Sequence, residues 1–145
     1  MIADFYQLAD DLTARARGDE VLLLGFAGEA TDFVRFNRSR VRQPGHVTQR
    51  HLTLDLVRGR RHAPGTIGLT GDGAQDRARA AALLASLRDR LPALPEDPHL
   101  LYATEPRSTS QEGTDRLPDA ADLVDRVLAA GAGRDLVGLL ARGGV

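Results

Sequence analysis

The segment His51 to Val57 constrains the fold most. Leu52, Leu54 and Leu56 alternate with His51, Thr53, Asp55 and Val57, a period of two that puts leucine on one face of a strand and polar groups on the other. A sheet with one apolar face must have that face covered. The chain supplies candidate covers on both sides of it. Ile2, Phe5, Leu8, Ala9, Leu12 and Ala16 recur at helical spacing, with Gly18 as a stop. Ala80, Leu83, Leu84, Leu87 and Leu91 form a second stripe on a helix expected over 76–91, which Pro92 ends.

The remaining elements follow from the same signals. Val21 to Ala27 reads as a short buried strand and Thr31 to Gln43 as the next extended stretch, with Pro44-Gly45 as the turn after it. A third strand is expected over 47–57, a tight turn at Gly59, and a fourth strand over 66–70. The proline-rich stretch from Pro92 to Asp115 reads as a surface loop. A third helix is expected over 118–130, with proline at its start and Gly131 past its end. Asp135 to Leu140 has the composition of a short C-terminal strand. The expected class is α+β: an N-terminal helix, a four-stranded antiparallel meander, two further helices packed on the sheet, and the C-terminal strand. The expected division is a domain over 1–134, with 135–145 as a tail or the start of a further domain.

Composition removes several chemistries. There is no Cys, which excludes disulfides, thiolate metal sites and a cysteine nucleophile. His46, His51, His62 and His99 fall in no helical metal-binding pair. None of Ser39, Ser86, Ser108 and Ser110 sits in a nucleophile elbow. Gly71-Asp72-Gly73 precedes a helix but lacks the remainder of either phosphate-binding glycine pattern, and a turn with Asp72 or Asp76 as helix cap explains it. No secretory signal is legible over residues 1–12, and no apolar run reaches the roughly 18 residues of a membrane span. A cytoplasmic location is expected.

Charge is unevenly placed. All 19 basic residues are Arg, and eight of them lie between Arg35 and Arg61, where Asp55 is the only acid. That span carries a formal +7 in a chain of net −1. Arg35, Asn37, Arg38, Arg40, Arg42, Arg50 and Arg60 are the candidate peptide- or partner-binding residues. Three readings stay open: a solvated hairpin with Arg stems covering the sheet, a docking surface for a partner, or contacts to a nucleic-acid backbone. The last is disfavoured by sparse aromatics, 4% of the chain, and a near-neutral isoelectric point.

The stretch Glu29 to Ala63, with Phe33 to Asn37, Pro44-Gly45, Leu52 to Val57 and Gly59-Arg60, resembles the N-terminal domain of TldD/PmbA proteins. Thr66 to Asp72, Leu94 to Leu100 and Asp135 to Leu140 continue the likeness. The resemblance implies a non-catalytic domain of a metallopeptidase-related protein, from a family also named for modulation of DNA gyrase. It implies dimer assembly and guidance of unfolded or extended peptide during proteolysis. It implies no cofactor in this chain, zinc being expected only in a catalytic C-terminal domain or a partner subunit. The chain is expected to be inactive alone.

Overall fold

The computed structural model describes residues 2–114 and 116–144. The fold is α+β. In chain order the elements are α1 (Ile2–Thr13), β1 (Val21–Asn37), β2 (Arg40–Arg58), β3 (Arg61–Gly68), α2 (Gly73–Arg90), a 3-10 turn (Leu91–Ala93), α3 (Ala120–Ala130) and β4 (Gly138–Gly144). The strands make one sheet in the order β3-β2-β1-β4. The pairs β2–β3 and β1–β4 are antiparallel. Residues up to Ala27 together with Arg50–Arg107 form one compact unit, and Gly28–Gln49 with Ser108–Val145 form a second. No helix among the described residues is long and apolar enough to cross a membrane.

The first unit holds the main core. Leu52, Leu54 and Leu56 are fully buried and stand opposite Ile67, Gly65 and Ala63 of β3. Helix α2 packs on β3 and α1 packs on α2. Leu8 and Leu12, four apart on α1, join Ala80, Leu84 and Leu87 of α2 in the same cluster. Burial of each such leucine stabilises by about 1.5–3 kcal/mol. Phe5 and Phe26 stack beside it with ring centroids 5.4 Å apart.

Polar anchors fix the connections around this core. Asp72 caps α2 by accepting from the backbone N–H groups of Ala74 and Gln75. Buried Asp76 accepts from the N–H and hydroxyl of Thr70 and the N–H of Gly71, all at 2.8–2.9 Å. Burial works against its charge, but those three donors, with Arg79 nearby, prevail and hold its pKa below the usual aspartate value. Glu20, just before β1, meets Arg88 of α2 through a forked contact. Arg88 Nε donates to Oε1 at 2.9 Å and Nη2 to Oε2 at 2.7 Å.

Beyond shifted ends such as the C-terminal strand, expected over 135–140 and found at Gly138–Gly144, three boundaries differ from the sequence expectation. The two strands expected over 21–27 and 31–43 are one continuous strand, β1, in which the inward phase of Leu22, Leu24 and Phe26 passes through Gly28 and Ala30 without a break. The turn falls at Arg38-Ser39, not at Pro44-Gly45, which lies inside β2. Pro44 lies outside the β2–β3 pairing, which covers His51–Arg58, so its missing N–H costs no bond to β3. Gly45 is required for packing: a Cβ there would run into the ring of Phe33. Third, β3 begins at Arg61 rather than near Thr66, since Pro64 sits on a sheet edge. The segment expected as a loop over 92–115 carries the 3-10 turn at Leu91–Ala93 and is otherwise irregular; Asp115 lies outside the described residues.

Candidate functional site

The seven candidate residues separate into two groups. Arg35, Asn37, Arg38, Arg40 and Arg42 belong to the second unit, and Arg50 and Arg60 to the first. The eight-Arg span is thus two different hairpins, β1–β2 and β2–β3, whose arginines do different things.

In the β2–β3 hairpin the guanidinium groups are largely structural. Arg60 Nη2 donates to Pro98 O at 2.6 Å, and Arg60 O accepts from Asp97 N–H at 2.8 Å. Arg61 Nε donates to Leu94 O at 2.9 Å, with Glu96 at 3.3 Å from its Nη2. Together they bind the proline-rich segment to the hairpin. His62 Nδ1 lies 2.9 Å from Asp55 Oδ2, and its Nε2 is 4.0 Å from Asp97. Among the described residues no group of three or more His, Asp or Glu is arranged to hold a metal ion.

The β1–β2 hairpin has an unusual turn. Arg38 and Ser39 both take positive φ, 51° and 55°, the geometry of a two-residue turn that normally demands Asn or Gly. Such a conformation costs a side-chain-bearing residue about 1–2 kcal/mol. Compensation comes from far along the chain. Ser39 Oγ faces the carbonyls of Gly131 and Arg134 at 3.1 and 2.5 Å and accepts from Leu136 N–H at 3.1 Å, while Ser39 N–H donates to Leu136 O. The α3–β4 connection therefore staples the turn and delivers the chain into β4. Arg38, Arg40 and Arg42 remain exposed, and Asn37 is half-buried at the end of β1.

The staple sets up a surface whose place in the sheet sequence reasoning missed. Strand β4 lies at the edge of the sheet, with β1 as its one neighbour. Leu139 stands directly opposite Arg35, and Ala141 opposite Phe33. Arg35 lies over the Phe33 ring at 5.7 Å from its centroid and donates to Gln43 Oε1 at 3.4 Å. Leu139 is 64% exposed and Val137, just before β4, 70%. Among the described residues the edge strand thus has exposed apolar side chains beside Arg35, and Arg142 further along it donates to Pro118 O at 3.0 Å. The signal in the sequence was the run Leu136 to Leu140, but its partner strand could not be read locally.

The other group lies in the first unit. Arg50 contributes to the wall of a cavity of about 170 Å³ together with Phe5, Leu8, Phe26, Leu69 and Gly71. Its Nε is fully enclosed and, among the described residues, without a hydrogen-bond partner.

Compared with known proteins, no family model and no curated protein matches this chain.

Proposed function

We propose that the chain is a non-catalytic module of the TldD/PmbA type, which assembles with a metal-bearing subunit or domain and guides extended peptide toward it in the cytoplasm. One observation carries the reading: among the described residues β4 is an edge strand, and Leu139 on it and Val137 just before it are exposed, with Leu139 opposite Arg35. Natural sheets protect such edges with charge, proline or a covering element. This one carries a single charged guard, Arg142, whose Nε donates to Pro118 O at 3.0 Å, while Gly138 to Ala141 hold neither charge nor proline. An edge of that kind suits addition of a further strand, in which the main chain supplies affinity and alternate side chains supply selection. The second strand could come from a partner subunit, a following domain or the peptide itself, as a dimer that encloses its substrate requires. Any zinc would belong to that catalytic partner.

The reading is tested by mixing the purified chain with unstructured peptides of mixed apolar and acidic sequence, and separately with a TldD/PmbA-type metal-bearing subunit. Amide shifts confined to β4, a stable complex in size-exclusion light scattering, and loss of both in Leu139→Glu are expected. Absence of any complex, together with peptide shifts that ignore Leu139→Glu, would refute it. Nucleic acid is not an expected ligand: aromatics for base stacking are 4% of the chain, the isoelectric point is near neutral, and Arg60 and Arg61 are committed to carbonyls and Glu96, which leaves Arg38, Arg40 and Arg42 as the exposed arginines of the β1–β2 hairpin. A salt series with duplex and single-stranded DNA checks this: affinity that falls steeply with salt would favour backbone binding instead.

A further inference from the structure

Arg50 leaves β2 half-buried and reaches the cavity between α1, β1 and the start of α2. Its enclosed Nε has no partner among the described residues, which is costly because buried polar groups are nearly always paired; Nε is closed to the cavity as well, so ligand contact falls to the rest of the guanidinium head. The neighbouring charges are committed elsewhere. Both oxygens of Asp76 receive donors from Thr70 and Gly71. Arg77 leans toward Asp11 at 3.8 Å. Asp4, also on the wall, makes an interaction of its own.

Room for the Arg50 head is built into the backbone. A Cβ at Gly71 would stand 2.6 Å from Arg50 Nη1, and Gly71 has φ of +89°. Phe5, Leu8, Phe26 and Leu69 supply apolar wall, and Gln7 lines the cavity beside them. A volume of about 170 Å³ is close to that of an engineered cavity known to accept benzene, roughly 150 Å³. A planar donor fork and apolar walls around a space of ring or leucine size describe a particular ligand chemistry.

We propose that this cavity binds a carboxylate carried on a compact apolar group, with Arg50 as the anion-binding residue. The C-terminal residue of an apolar-ended peptide and a free small hydrophobic acid share that chemistry. The site is independent of the β4 edge and does not require the TldD/PmbA reading.

The test is a titration of the full chain followed by amide shifts at Arg50, Leu69, Gly71 and Gly73. Its three probes are N-acetyl-leucine, N-acetyl-leucinamide and a hexapeptide ending in a free leucine carboxylate. Saturable shifts are expected with the carboxylates, and about 10- to 100-fold weaker binding with the amide, from loss of a charge-assisted pair. Arg50→Gln should lose a similar factor while its circular dichroism stays unchanged. Tighter binding of the hexapeptide than of the acetylated residue assigns the source to peptide termini, and the reverse assigns it to small acids. Equal binding of acid and amide, or no saturable shift with either carboxylate, overturns the proposal. Should Arg50→Gln fail to fold, the acid-against-amide comparison on the unaltered chain decides the matter alone.

Discussion

Replacing Arg88 with Met should be among the most damaging single changes to the first unit. The Glu20 side chain is 5% exposed and that of Arg88 17%. The carboxylate accepts both nitrogens of the guanidinium and the N–H of Arg17, while Arg88 Nη2 also donates to Arg15 O. In Arg88→Met the carboxylate stays buried with the Arg17 N–H as its remaining donor in this set. Breaking a buried pair in this way costs about 3–5 kcal/mol. For a chain of this size that corresponds to a fall in Tm on the order of 10 °C. The double variant Glu20→Leu/Arg88→Met should recover much of the loss, because neither charge is then orphaned. The pH dependence follows from the direction of the shift. The hydrogen bond from Arg88 is the main cause holding Glu20 below its ordinary 4.5, against the opposing effect of burial. Its contribution is therefore complete above that value and disappears as pH falls through the lower folded-state pKa. The deficit of Arg88→Met should be greatest near neutral pH and shrink in acid. Urea unfolding followed by far-UV circular dichroism measures all of this, since the chain has no Trp to report by fluorescence. Single-variant losses under about 1 kcal/mol, or singles that sum to the double, would refute the reasoning.

Leu54→Ala, at a fully buried site, should cost about 2–5 kcal/mol in the same assay. Leu101→Ala, at a site 92% exposed, should stay within about 0.5 kcal/mol. Ser39→Ala strips the hydroxyl from Leu136 N–H and two carbonyls, so it should cost about 1–3 kcal/mol and speed hydrogen exchange at the Leu136 amide. Arg38→Gly should instead stabilise the second unit by about 1 kcal/mol, by relieving the positive φ. Asp76→Asn should destabilise at neutral pH and converge on the parent only as pH falls through the folded-state pKa, which lies below 3.8. The reason is that the lowered pKa of Asp76 places its contribution above that value and removes it as pH drops through the folded-state pKa.

How much was legible depended on how local the deciding interactions are. The helix stripes, the Asp72 cap, and the inward set Leu52, Leu54 and Leu56 follow from neighbours within a few residues, and the α+β class followed from them. The hairpin turn did not. Pro44-Gly45 has stronger local turn chemistry than Arg38-Ser39, yet the ring of Phe33 claims Gly45 and the carbonyls near Gly131 claim Ser39. Those partners lie up to 97 positions from Ser39, a distance no window of sequence spans. The arginines show the same split. Their density was visible in the chain, but whether one binds a loop carbonyl, as Arg60 does, or enters a cavity, as Arg50 does, depends on what the folded backbone brings to it. Propensity and pattern determine which segments become helix and strand and which face turns inward. Tertiary structure alone decided where the sheet turns, which strand becomes its open edge and which charges are left for a ligand, because each of those outcomes is a competition among partners distant in sequence.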